Sequence, residues 1–290
     1  MSPAFRTRSS VLALAALALA AAGAAGAWAW SRRMPAEYQS LEAIVDRLAS
    51  GNALGKQPLN FAVTSGIYSA QLAVQRGLCK EDRCDMFVTL NPFRTYANGW
   101  DELIRQSYAV GDIEGSSTSS GTVLISRPSF RIYGPRVGWL GCTVAHEIAH
   151  VQRHHIFERS YYNNHAIKGL PKEKKDLKTM AKSRQQELEA DRDAADMLAR
   201  AGYKGRICVD ELIFIYKSTG DGSATEKDST HPGFNERVAA LKAHYGRREK
   251  EQAAAKAKGK TAAYLIRQPT PGSFRYSSSD NLLTFVPRAQ

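Results

Sequence analysis

His146-Glu147-Ile148-Ala149-His150 sets two imidazoles four residues apart with a carboxylate between them. On an α-helix, residues four apart are neighbours on one face, so both rings can reach one metal ion. Glu147 sits about 100° round the helix from His146. It is close enough there to take a proton from a water at the metal without having to ligate. Hydrolytic zinc chemistry needs two neutral histidines, a third ligand, an open coordination position and a general base. These five residues can supply three of those parts. The same pattern also arises by chance on an amphipathic helix, so the rest of the chain must supply the third ligand.

One way to complete such a site places a third histidine six residues after the second, with a glycine between them. Ile156 and Arg153 hold those two positions, which rejects that arrangement. His154 and His155 come just after the motif, but a further helical turn directs His154 past a metal already held by the first two. Both read as surface or helix-end histidines. The other way takes a carboxylate from a second helix. In Ser183-Arg184-Gln185-Gln186-Glu187-Leu188-Glu189-Ala190-Asp191, Glu187 and Asp191 are four apart and share a face, whereas Glu189 points elsewhere. Glu187 can then ligate while Asp191 accepts a hydrogen bond from the non-ligating nitrogen of a ligand histidine, fixing its tautomer. Alone, these acids would read as a solvated helix face.

The elements that must hold these groups can be read from periodicity. Glu37 to Ser50 reads as an amphipathic helix stopped by Gly51, with Leu41, Ile44, Val45 and Leu48 on one face. Leu59–Thr64, Met86–Leu90 and Thr122–Ser126 fit strands, with a helix over Tyr68–Gln75 and a Gly/Ser/Thr-rich loop from Val110 to Gly121. From Gly141 the period is helical. Lys168–Lys182 reads as a charged helix or surface flap between the two ligand segments, Gln185–Ala201 as a helix closed by Gly202, and Val209–Lys217 as another. A loop over Ser218–Pro232 precedes a last helix at Glu236–Tyr245. Ala253–Lys260 is Ala/Lys-rich, and the remaining residues to Gln290 look like a mobile tail, although Leu282–Val286 could add a strand. The class is α+β, mainly helical with a small sheet.

Net charge of +12 suggests an anionic partner, but its placement argues against nucleic acid. Lys168–Arg184 and Leu241–Lys260 each hold seven basic and two acidic residues, and neither interleaves aromatics for stacking on bases. At the N-terminus, Arg6 and Arg8 precede an uncharged Ala/Leu-rich run from Val11 to Trp30, with Arg32 and Arg33 after it. Twenty helical residues rise about 30 Å, enough to span a bilayer. Trp28 and Trp30, placed like an interfacial belt, favour a retained anchor over a cleaved signal peptide, although small-x-small cleavage sites are present. Either reading exports the remaining chain. The four cysteines agree: Cys79 and Cys84 can close a small loop, and Cys142 and Cys208 either join the helices of the metal region or stay as buried thiols.

Thr143-Val144-Ala145-His146-Glu147-Ile148-Ala149-His150, paired with Ser183-Arg184-x-x-Glu187-x-Glu189-Ala190-Asp191, resembles metallopeptidase family 48, the gluzincins that include HtpX-type, BepA-type and CAAX prenyl endopeptidases. Thr230-His231-Pro232 with Glu236-Arg237 resembles that family's downstream H-P…E-R element. The resemblance runs from about Val123 to Leu241. It implies a zincin-like domain over 36–248, after a signal or anchor segment at 1–33 and before a basic linker and tail at 249–290. It also implies one Zn2+ per chain on His146, His150 and Glu187, with Glu147 as base, Asp191 behind a ligand, and His231 and Arg237 as catalytic groups near the oxyanion. His231 could instead fill the open metal position in a resting state. Protein or peptide substrates are expected, with membrane contact through the N-terminal segment and a bacterial inner-membrane anchor or periplasmic location. The family's substrate-holding edge strand corresponds to Arg94–Tyr108, which has diverged, with Asn98 as its remnant. A catalytically silent or self-inhibited chaperone of the cell envelope is the rival reading, and an anionic-surface binder a further one.

Overall fold

The computed structural model describes residues 34–84, 90–97, 99–219 and 224–288. Two compact units divide the chain, Met1–Ala36 and Glu37–Gln290, and nearly all the described residues fall in the second. The export segment Val11–Trp30, Asn98 and almost all of the strand expected at Met86–Leu90 lie outside the described residues. Among the described residues, no helix is long and apolar enough to cross a membrane.

The chain runs α1 (Ala36–Ala49), β1 (Leu59–Thr64), α2 (Ile67–Gln75), α3 (Trp100–Val110), β2 (Gly115–Ser117), β3 (Thr122–Ser126) and α4 (Arg127–Tyr133). It continues with α5 (Val137–Gln152), α6 (His155–His165), α7 (Lys172–Arg200), α8 (Ile207–Thr219), α9 (Phe234–Ala257), β4 (Gly272–Ser277) and β5 (Leu282–Pro287). The α+β class is as expected: helices dominate, with one mixed sheet of order β2-β3-β1-β5-β4. β1 runs parallel to β3, with Phe61 opposite Val123, and antiparallel to β5, with Leu59 opposite Phe285. β2 pairs antiparallel with β3 and forms one edge of the sheet.

Alternation buries Leu59, Phe61 and Val63 of β1 on one face, and helical spacing buries Leu41, Ile44, Val45 and Leu48 of α1. Burying each such side chain contributes about 1.5–3 kcal/mol. Tyr38 of α1 locks the sheet to the far end of the chain. Its hydroxyl accepts from Val63 N at 2.9 Å and donates to Asn281 O at 2.6 Å, while Asn281 Nδ2 donates to Val63 O at 2.7 Å. Gly51, expected as a helix stop, is also a contact: a Cβ there would lie 2.5 Å from Arg200 O, so only glycine lets the end of α1 meet the end of α7.

The structure corrects three readings of the chain. Residues 249–290 are not a linker and mobile tail, because α9 continues to Ala257 and β4 and β5 supply two of the five strands. Of the two readings of Lys168–Lys182, the helix holds from Lys172 onward and the flap does not: these residues open α7 and run on without a break into the segment that bears Glu187. α6 packs along α7, with Thr179 Oγ1 donating to Asn163 Oδ1 and Arg159 Nη1 to Ser183 Oγ, each at 2.8 Å. The loop from Val110 to Gly121 contains β2, held by its pairing with β3 rather than by any β-propensity in Gly-Ser-Ser.

Candidate metal centre

α5 and α7 pack against each other more extensively than any other pair of helices. Small residues allow this: Ala145 and Ala149 of α5 and Ala190 and Ala194 of α7 are all buried. The seam brings together His146, His150 and Glu187, whose ligand atoms all lie within 4.8 Å of one another. His146 Nε2 is 3.0 Å from His150 Nε2 and 3.3 Å from Glu187 Oε2, and His150 Nε2 is 3.4 Å from Glu187 Oε1. Two imidazole nitrogens and one carboxylate converging on a single point are a donor set that a divalent transition-metal ion fits.

Asp191, one turn after Glu187, faces His146 Nδ1 at 2.9 Å, as expected from its spacing. Burial disfavours the charged, doubly protonated form of both His146 and His150. For His146 the hydrogen bonds to Asp191 and Glu187 win and its pKa is pushed up, whereas burial and the neighbouring charge of His146 push His150 down. Burial also works against the Glu187 carboxylate, but its contact with His146 wins and holds it at about 2. Glu147 is buried beside the ligands, and that burial pushes it up to about 6.

Glu147 is covered by β2. A Cβ on Gly115 would lie 2.9 Å from Thr143 Cγ2 and 3.1 Å from Glu147 Oε1, so a glycine is needed where the edge strand crosses the base. The strand bordering the site is therefore Gly115–Ser117 and not the Arg94–Tyr108 region, most of which forms the helix α3. β2, α5, α7 and the segment carrying Thr230 and His231 together line a cleft of about 740 Å³.

His231 and Arg237 reach the site in different ways. His231 stands at the mouth, its side chain 63% exposed and its Nε2 3.7 Å from Glu187 Oε2. Its segment is tied down by Arg184, whose Nη1 donates to Ser229 O at 2.7 Å and Lys227 O at 3.0 Å. Arg237 turns to Asp191 instead, forming a two-pronged ion pair.

Three contacts lie beyond the reach of sequence spacing. His155 is not a surface residue: it is 1% exposed and its Nδ1 is 2.9 Å from His150 Nδ1. Glu189, set aside as pointing elsewhere, faces His155 Nε2 at 3.4 Å. Glu211 of α8 is buried in the cleft wall, accepting from Tyr133 Oη at 2.5 Å and Thr143 Oγ1 at 3.0 Å. Beside it, Cys142 and Cys208 form a disulfide between α5 and α8, and Cys79 and Cys84 form a second. No spacing rule points to Glu211, but its burial on α8 comes from the same helical face as Cys208 and Leu212.

A helix carrying H-E-x-x-H is crossed by a second helix that brings a glutamate and then an aspartate one turn on, the arrangement that the resemblance to metallopeptidase family 48 implied. The model of peptidase family M48 matches residues 174–245, consistent with a family M48 zinc metallopeptidase. That match takes in α7 from residue 174 onward, the His231 segment and Arg237 but not the H-E-x-x-H helix, so the two halves of the site are supported by separate observations. No curated protein and no solved structure matches the chain.

Proposed function

We propose that this protein is a zinc-dependent endopeptidase that cuts peptide bonds of exported or membrane-associated proteins. The observation that carries the reading is the convergence of His146, His150 and Glu187 beside a buried Glu147, under an edge strand. Bound zinc would supply Lewis acidity and acidify a water toward neutrality. Glu147 takes the proton from the attacking water and passes it to the leaving amine, a role suited by its raised pKa. The outer edge of β2 offers unpaired backbone groups against which an extended substrate can lie as an added strand. His231 supplies a donor at the developing oxyanion, or caps the site at rest; its place at the mouth supports both. The capped state is the basis of the second reading, a self-inhibited protease-fold chaperone. The sequence from Val11 to Trp30 supports an exported, membrane-anchored location.

The test is Glu147→Gln, purified with zinc and mixed with an unfolded protein substrate. The variant should keep its zinc and lose cleavage by about 10²–10⁴-fold. Equal cleavage by variant and wild type would refute the assignment. Recovery of truncated envelope proteins from cells carrying the active enzyme, and not the variant, would identify the substrates.

A further inference from the structure

The two ligand histidines are backed in different ways. Behind His146 stands a carboxylate, Asp191. Behind His150 stands another imidazole, that of His155, with ring centroids 4.8 Å apart and planes at 78°. The edge-on geometry points the two Nδ1 atoms at each other across 2.9 Å.

Chemistry then fixes every proton in this arrangement. If His150 gives its Nε2 lone pair to a metal, its own proton must sit on Nδ1. Two Nδ1 atoms at this distance form a hydrogen bond only when one of them lacks a proton, so His155 Nδ1 accepts. The proton of His155 is thereby placed on Nε2, which is buried and faces Glu189 Oε2 at 3.4 Å, an electrostatic contact rather than a formed hydrogen bond. Glu189 is held by Gln185, which donates to its other oxygen at 2.9 Å. His155 is anchored through its backbone as well, its carbonyl accepting from Gln186 Nε2 at 3.0 Å.

The backbone makes this possible at a cost. α5 ends at Gln152, and His154 takes a left-handed conformation, φ 53° and ψ 36°. That residue turns the chain out of α5 and starts α6 at His155, swinging the second imidazole back over His150. A non-glycine residue in this region is uncommon, and such strain concentrates at functional positions.

We infer that His155, supported by Glu189, is a positioning residue for His150, holding it in the tautomer and ring plane that aim Nε2 at the metal. The inference rests on the reading of the site as a zinc site and deepens it. His155 touches no substrate and moves no proton in the reaction; it acts through a ligand.

The experiment measures zinc affinity by competition with a chelator, and the melting temperature of the metal-free protein, for four chains: wild type, His155→Phe, His155→Asn and Glu189→Ala. Phenylalanine keeps the ring and removes the acceptor, so zinc should bind about 10- to 100-fold more weakly while the metal-free melt stays close to wild type. Asparagine places an oxygen near the former Nδ1 and should restore most of the affinity. Glu189→Ala, at a partly exposed position, should weaken zinc binding by a smaller factor and serves as the test if the phenylalanine variant fails to fold. The inference is overturned if His155→Phe binds zinc as wild type does, or if asparagine performs no better than phenylalanine. It is equally overturned if Phe fails to fold and Glu189→Ala binds as wild type. A wild-type protein that binds no zinc overturns the metallopeptidase reading along with it.

Discussion

Arg237 clasps Asp191 with two nitrogens, Nε to Oδ2 at 2.8 Å and Nη2 to Oδ1 at 2.6 Å. The aspartate is thus shared between an arginine from α9 and His146 of α5. The pairing binds three helices at one point and matches the charge of a buried carboxylate, which Arg237 first among favourable contacts holds well below the usual range against the effect of burial. Arg237→Met should leave the buried carboxylate with His146 as its remaining partner and cost about 3–5 kcal/mol, read from denaturant unfolding. Arg237→Lys keeps the charge but loses the fork, so it should fold better than Met and still bind zinc more weakly than wild type. An unchanged unfolding midpoint for Met would mean that the ion pair contributes nothing.

At His154 the prediction has the opposite sign. Its side chain is exposed and its φ is positive, so glycine removes the strain and gives up little packing. His154→Gly should stabilise the fold by up to about 1 kcal/mol, and His154→Val should destabilise it by more. Thermal melts of the two variants would settle this, with zinc affinity of the glycine variant expected to match wild type.

β5 carries its own test. Phe285 is 1% exposed and stands opposite Leu59 across the strand pair. Phe285→Ala should cost about 3–5 kcal/mol, a loss that a mobile tail would not produce. Removing β4 and β5 by ending the chain before Gly272 should also bare one edge of β1 and make the protein self-associate, measurable by light scattering.

Asp196, outside the candidate metal centre, gives the fold a pH dependence. It accepts from His244 Nε2 at 2.8 Å and Arg248 Nε at 3.1 Å, and these contacts outweigh its burial to lower its pKa. A depressed carboxylate contributes stability that is present above its unfolded value of about 4 and lost as pH falls through the lower folded value. Asp196→Asn should therefore cost about 2–3 kcal/mol at neutral pH. The gap between the two proteins should close as the solution is taken below pH of about 4. A gap that persisted at acid pH would assign the loss to packing.

Local periodicity accounts for what could be read before the fold was known. His146, His150, Glu187 and Asp191 each stand four residues from a partner, and a helix converts that spacing into a shared face whatever surrounds it. Leu41, Ile44, Val45 and Leu48 report burial by the same rule. What escaped depends on contacts far apart in sequence or on one backbone angle. β2 has no strand composition and exists because β3 recruits it. The lysines of early α7 are mostly exposed, as a charge run should be, yet α6 packed alongside keeps the helix continuous. His155 could not be placed without knowing that His154 breaks the helix, since a continuous helix would have carried it away from His150.

The pairing of β1 with β5 also sets an order of events. β1 leaves the ribosome early and finds β3 on one side, but its other edge waits until Phe285 has been made. Pairings this distant in sequence close late and slowly. The layer beneath α1 is thus incomplete while the segments bearing His146 and Glu187 are already present. Completing the sheet therefore requires closure across the whole stretch of chain that carries His146 and Glu187, a long-range pairing of the kind that forms slowly.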